Sequence, residues 1–231
     1  MFEEFLEEEL PKLSFPKLST LPVSSVNLML EGNKKFARSR KWHTQRQTLL
    51  KGQQPTTIVV CCSDSRVPPE IVFDRIKLGE IFVVRNAGHI LDSSAIESIR
   101  FAIDHLNCDS IVVLCHECCG AVTAMWDKKS ALCSSRKDHY YDENDCKHTL
   151  SNNNIGSTTS TAPLSSYPKI EKYVGKSLCM DKNLSREQNI ENSIKKNAIR
   201  TAKLIVKNTG IDSHRVHPSY YNIKSGQVDL L

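Results

Sequence analysis

The sequence predicts an α/β fold: a short, mostly parallel β-sheet flanked by helices, with a helical N-terminal arm and a C-terminal hairpin. Three observations carry that expectation. Apolar runs rich in β-branched residues at 58–61, 81–84 and 111–114 read as strands, the first and third of them buried and ending abruptly in polar residues. A helix-patterned stretch joins the second run to the third, giving the β-α-β rhythm of parallel strands with a helical crossover. The last sixteen residues, 216–231, alternate apolar and polar side chains around Ser225-Gly226, as a hairpin does.

Taken in order, residues 1–25 begin with the acidic MFEEFLEEEL and then carry Pro11, Pro16 and Pro22, which exclude a long helix and predict an extended arm. From Val26 to about Leu50 proline is absent, and the spacing of Leu28, Leu30 and Phe36 predicts helix with an interruption near Gly32. Ile58 to Cys61 forms the first strand, and Pro68-Pro69 stops the backbone soon after it. Ile81 to Val84 forms the second, followed by a turn at Asn86-Ala87-Gly88. Ser94-Ala-Ile-Glu97 reads as a capping box opening a helix whose Ile96, Ile99, Ile103 and Leu106 share one face. After the strand Ile111 to Leu114, a helix starts at Cys119-Gly120 and runs to about Trp126.

Residues 128–166 are polar, with Ser-Asn-Asn-Asn and Ser-Thr-Thr-Ser-Thr runs and no periodicity, and are expected as a surface insertion. His139, Cys146 and His148 within it read as solvated loop residues. Ile190, Ile194, Ile199, Ala202 and Ile205 mark a core-facing helix over Arg186 to Asn208, ended by Gly210. The whole is expected as one Rossmann-like domain over 1–231.

Composition narrows the function classes. The net charge is +5 on 31 basic and 26 acidic residues, with no basic block of the nucleic-acid-binding type; Lys34-Lys35 to Lys41 reads as a solvated helix face. Nine cysteines, an odd number that includes two adjacent pairs and several positions inside apolar runs, fit thiols in a reducing compartment. The acidic N-terminus has neither a secretory nor a transit-peptide pattern, and no apolar run approaches the roughly 18 to 20 residues of a membrane span. The expected setting is cytoplasmic.

Two of the strands end in chemistry. TIVVCCSDSR places Cys62, Asp64 and Arg66 at the end of one apolar run, and IVVLCHECCG places His116 and Cys119 at the end of another. In an open α/β sheet, the carboxyl ends of the strands are where ligands bind. Two thiolates and one imidazole, with a fourth position open, make a catalytic type of zinc site. Buried small-hydrophobe cysteines are one alternative; a redox dithiol in the C-x-x-C of Cys115 and Cys118 is another. Neither explains why a carboxylate and a guanidinium follow Cys62 within four residues.

Cys62-Ser63-Asp64-Ser65-Arg66 and, 54 residues after Cys62, His116-x-x-Cys119-Gly120 resemble the paired signature of the β-class carbonic anhydrases, Cys-x-Asp-Ser-Arg and His-x-x-Cys. FVVRNAG at 82–88, LEGNKKF at 30–36 and the C-terminal VHPSYYNIKSGQVDLL resemble further segments of that family. The resemblance implies a lyase, one Zn2+ on Cys62, His116 and Cys119, and reversible hydration of carbon dioxide to bicarbonate and a proton by zinc-bound hydroxide. It implies that Arg66 holds Asp64 ionised beside the metal, and that Gln53, Phe82 and Gly120 line the substrate pocket. It also implies a homodimer or higher even-numbered homo-oligomer in which the partner contributes the glutamine and the aromatic wall. Departures are Cys61, Cys118, His89 after Gly88, and the long polar insertion. The alternatives are a zinc hydrolase of carbonyl sulfide or carbon disulfide on the same scaffold, and a thiol redox or metal-sensing protein. Neither nucleic acid nor membrane is expected as a partner.

Overall fold

The computed structural model describes residues 25–135 and 167–231. The expected extended arm, apart from Ser25, and residues 136–166 of the expected insertion, with His139, Cys146 and His148, lie outside the described residues. The chain divides into two compact units, Met1–Gly52 and Gln53–Leu231.

In the first unit, α1 (Ser25–Arg38) and α2 (Arg40–Thr48) follow one another. The expected break at Gly32 is not there: α1 runs through it, and the helix is interrupted at Ser39. A glycine inside a helix costs only about 1 kcal/mol relative to alanine. Ser39 adopts extended backbone, φ −69° and ψ 123°, which ends one helix and starts the next. Arg46 closes the corner by donating to the carbonyls of Phe36 and Ala37 at 3.4 and 3.1 Å, near the C-terminus of α1 where backbone acceptors lack helical partners. The Phe36 and Trp42 rings meet at 5.5 Å.

The second unit is built on a five-stranded sheet: β1 (Thr57–Cys62), β2 (Ile81–Asn86), β3 (Ser110–His116), β4 (Val216–Tyr221) and β5 (Val228–Leu230), in spatial order β2-β1-β3-β4-β5. The first four are parallel to their neighbours and β5 is antiparallel to β4, so the expected mostly parallel sheet and terminal hairpin are both present. A parallel pair needs a crossover. Here α4 (Ser93–Leu106) joins β2 to β3, while α5 (Gly120–Ser135), α6 (Pro168–Val174) and α7 (Arg186–Thr209) lie between β3 and β4 in sequence. A single turn of helix, α3 (Pro69–Val72), follows β1.

Pleating sorts the core. Ile58, Val60 and Cys62 of β1 join Ile111, Val113 and Cys115 of β3 in one cluster with the apolar faces of α4, α5 and α7. Val59, Cys61 and Leu114 point the other way, packing with Val67, Val72 and Phe73. That period of two is the reason these runs read as strands buried on both faces.

The helices differ from their sequence patterns in detail. The cap of α4 is Asp92, not Ser94: its Oδ1 accepts from the Ala95 amide at 3.1 Å and from the Ser94 hydroxyl at 3.0 Å. Aspartate is as good a cap as serine and stands one residue before the first turn. Helix α5 continues nine residues past Trp126, to Ser135, because nothing between them breaks a helix and Lys128 is fixed to Glu171 at 2.8 Å. On α7, Ile190, Ile194, Ala198, Ala202 and Ile205 are buried, whereas Ile199 is only half-buried. A true capping box of Ser185 and Gln188 opens that helix, and Gly210, at φ 74°, closes it. Among the described residues, no helix is long and apolar enough to cross a membrane.

Candidate metal centre and active site

Strand order sets the place of the site. From β1 the chain moves out to β2 and then returns to the other side as β3, so the topology reverses between β1 and β3, and a crevice opens at their carboxyl ends. Cys62 is the last residue of β1 and His116 the last of β3. Cys119 stands just before α5, where the amides of Val122 and Ala121 favour a thiolate. The Sγ atoms of Cys62 and Cys119 and a ring nitrogen of His116 all lie within 4.8 Å of one another, and all three residues are buried. A group of this composition and spacing could hold a metal ion.

The donor set fits a cation for two reasons. His116 Nδ1 lies 2.9 Å from the Glu117 carbonyl, to which it can only donate, so Nε2 carries the lone pair; that Nε2 is buried with no hydrogen-bond partner. Cys62 and Cys119 also compete for ionisation. The hydrogen bond from Cys119 pulls the Cys62 thiol well below the ordinary thiol range, although burial opposes it, and the Cys62 sulfur together with burial pushes Cys119 up. Two thiolates this close repel one another unless a positive charge lies between them.

Asp64 and Arg66 flank this group. Arg66 donates Nε to Oδ1 at 2.9 Å and Nη2 to Oδ2 at 2.7 Å, and its backbone amide reaches Oδ1 at 3.0 Å. The guanidinium hydrogen bond therefore holds the Asp64 carboxyl far below the usual carboxylate range. Asp64 Oδ2 sits 3.9 Å from His116 Nε2, so the carboxylate borders the donor cluster. Arg66 Nη2 also donates to the Cys118 carbonyl at 3.3 Å, linking the two loops that carry the candidate ligands.

Several supporting residues had no expected role in the sequence. Arg85 on β2 donates to the backbone carbonyls of Cys62 at 3.1 Å and Asp64 at 3.0 Å, fixing the loop after β1. Asn86 brackets the following turn, accepting from the Ile90 amide and donating to the Ile90 carbonyl. That turn contains Gly88 at φ 74°, and the Gly88 amide donates to Cys62 Sγ at 3.4 Å. The run RNAG was legible as a turn, but nothing in it announces an amide aimed at sulfur.

The three expected substrate residues are not gathered at the cluster within one chain. Gly120 is adjacent to it, exposed as the first residue of α5, and a Cβ there would meet open space. Phe82 pairs in register with Ile58, four residues along the sheet from the level of Cys62 and Asn86. It helps line a cavity of about 510 Å³ along β2 and α4 with Val84, Ile90 and Lys169. Gln53 is exposed ahead of β1, at the opposite end of the strand from Cys62. Among the described residues, the other thiols lie outside the donor cluster. Cys61 and Cys115 are buried and pushed up to about 12, chiefly by burial, and Cys115 donates to the Ser219 carbonyl.

Fold and site together define a class. A family profile described as carbonic anhydrase matches residues 57–228, and the chain belongs to the β-class carbonic anhydrases. It is 45% identical over 111 residues to carbonic anhydrase 2 of Mycobacterium tuberculosis, covering 46% of this chain and 53% of that protein. It is 42% identical over 108 residues to the carbonic anhydrase of Mycolicibacterium smegmatis, covering 45% and 52%. The chain thus spans about half the length of these relatives. Among solved structures, the β-carbonic anhydrase CcaA superposes with a TM-score of 0.65 at 22% identity, over 90% of this chain and 95% of that one. The Coccomyxa β-carbonic anhydrase solved with acetazolamide superposes at 0.64 and 22% identity, over 90% and 86%. Both share the fold.

Proposed function

We propose that the protein hydrates carbon dioxide reversibly to bicarbonate and a proton at a zinc site formed by Cys62, His116 and Cys119. The observation that carries this reading is the convergence of those three buried side chains beside an Asp64 already engaged by Arg66. Zinc bound there would supply the Lewis acid that makes water a nucleophile near neutral pH.

The chain's own residues then have distinct tasks. His116 presents Nε2 because the Glu117 carbonyl occupies Nδ1. Asp64, kept ionised by Arg66, can accept hydrogen bonds but not donate them. A water beside it must therefore point a proton at the carboxylate, leaving an oxygen lone pair free to face the carbon of the substrate. Arg66 also keeps Asp64 turned toward the guanidinium, through two hydrogen bonds of charged partners. Arg85 holds the backbone of both Cys62 and Asp64, so ligand and acceptor stay in register.

The assembly belongs to the same proposal: an even-numbered homo-oligomer in which Gln53 and Phe82 of one protomer complete the pocket of its partner. The distance of both residues from Cys62 within a single chain supports this, as does β2 being an edge strand of the sheet. Related β-carbonic anhydrases of Sordaria macrospora are tetrameric. The free thiols among the described cysteines support a reducing, cytoplasmic setting. Metal analysis together with stopped-flow assay of carbon dioxide hydration tests the function. Stoichiometric zinc with hydration that is lost in Cys119→Ser is the expected result; a zinc-free protein that hydrates carbon dioxide would overturn it.

A further inference from the structure

We propose that Asn197, backed by Ser177, is a positioning residue for the Cys62 sulfur, acting through a strained turn at Gly88-His89; the inference rests on the metal reading of Cys62. The turn has two consecutive residues in the left-handed region, Gly88 at φ 74° and His89 at φ 42°. For His89 this conformation is disfavoured by its side chain, and such strain persists only where the surroundings impose it. Those surroundings come from α7. Asn197 Nδ2 donates to the Gly88 carbonyl at 3.1 Å and lies 3.0 Å from His89 Nε2, while Asn197 Oδ1 accepts from the Ser177 hydroxyl at 3.0 Å.

Every member is buried: Ser177 is 0%, His89 1% and Asn197 2% exposed. Ser177 can satisfy Asn197 Oδ1 only by donating, which leaves the Asn197 amide hydrogens for Gly88 and His89, so the direction of the chain is fixed. Its far end is the Gly88 amide, which points at Cys62 Sγ from 3.4 Å. Close packing adds a second constraint, since a Cβ on Gly88 would stand 3.2 Å from both Ala121 Cβ and Val174 Cγ2. The network satisfies its own buried polar groups and, by fixing the turn, also sets the placement of that amide against Cys62.

An amide donating to a thiolate withdraws charge from the sulfur, so it lowers the energy of the sulfur lone pair and weakens its donation to a metal. Loss of the relay should let the Gly88 amide swing off Cys62. Three proteins decide the matter: Asn197→Leu, the milder Ser177→Ala, and Thr201→Val as a control that removes another buried hydroxyl one turn along α7. With Co2+ loaded, the sulfur-to-cobalt charge-transfer band should move to longer wavelength in Asn197→Leu and, to a smaller extent, in Ser177→Ala, and stay in place in Thr201→Val.

The metal-free protein gives an independent readout. Hydrogen exchange at the Gly88 amide should accelerate in both relay variants and not in the control. Ser177→Ala keeps the test decisive if Asn197→Leu does not fold. A cobalt band present in all proteins and unmoved, with Gly88 exchange unchanged, would overturn the relay alone. Absence of a thiolate band in the unsubstituted protein would sink the metal reading instead, and Gly88 exchange would still decide whether Asn197 positions the turn.

Discussion

Arg66 grips Asp64 at two points, Nε to Oδ1 at 2.9 Å and Nη2 to Oδ2 at 2.7 Å, and so keeps a carboxylate within 3.9 Å of the unpartnered nitrogen of His116 without letting it fill the cluster. Arg66 itself is half-exposed, and an exposed ion pair contributes little to stability. Its importance is therefore expected in the reaction rather than in folding.

Asp64→Asn and Arg66→Ala should both retain zinc and fold, yet lose turnover by on the order of 10²-fold or more, the usual effect of removing one preorganised electrostatic contact. The pH dependence separates them. In the intact protein the Asp64 carboxyl is held far below its ordinary range, so it stays ionised throughout the working pH. Without Arg66 it returns toward a value of about 4, and the relative loss should deepen as pH falls toward that value. An Arg66→Ala protein with the parental pH profile would contradict the assigned role.

Removal of single thiols distinguishes ligands from neighbours. Cys62→Ser and Cys119→Ser should each abolish stoichiometric zinc. Cys118→Ser should bind a full equivalent, since Cys118 is exposed and its contact with Arg66 is made through the backbone carbonyl. Atomic absorption on the three purified proteins reads the difference, and zinc-loaded Cys119→Ser is the outcome that contradicts the ligand set.

The cap of α4 carries a stability prediction. Asp92 Oδ1 accepts from the Ala95 amide and Oδ2 pairs with Lys169 at 2.7 Å, and the Lys169 hydrogen bond, aided by the amide, holds the carboxyl down to about 2. A carboxyl depressed in the folded state stabilises above its unfolded value, about 3.9, and that contribution fades as pH falls through about 2. Asp92→Ala should cost about 1 kcal/mol at pH 6 by loss of the cap. Urea titrations should show the gap between the two proteins narrowing below pH 4.

What was legible in the sequence was whatever obeys a local period or a short motif. The β-branched runs of β1 and β3 read as buried strands and are buried, and the residues that follow them marked Cys62, His116 and Cys119 as candidate ligands; β2, an equally apolar run, is only half-buried. What was hidden depends on partners distant in sequence. Asn189, Ser193 and Asn197 recur every four residues along α7, and all three are buried because the helix uses them to hold backbone of the 177–185 segment and of the Gly88 turn. A polar stripe on a helix cannot reveal from sequence whether water or another chain segment satisfies it. Arg85 was hidden for the same reason, since its acceptors are carbonyls more than twenty residues away.

The last prediction concerns the residues that one chain leaves apart. If Gln53 and Phe82 of one protomer complete the site of its partner, then a His116→Ala chain lacks only its own donor cluster, and a Gln53→Ala/Phe82→Ala chain lacks only what it lends. Each is expected to be nearly inactive alone. In a mixed dimer one of the two sites receives Cys62, His116 and Cys119 from the second chain and Gln53 and Phe82 from the first, and is complete. Random reassociation of equal amounts of two chains makes half the dimers mixed, so roughly a quarter of all sites should regain function. Hydration rates measured before and after dissociation and remixing give the test. Recovery toward that fraction requires a site shared between subunits. Two folded, separately impaired proteins that regain nothing on verified exchange of chains would place Gln53 and Phe82 outside the pocket.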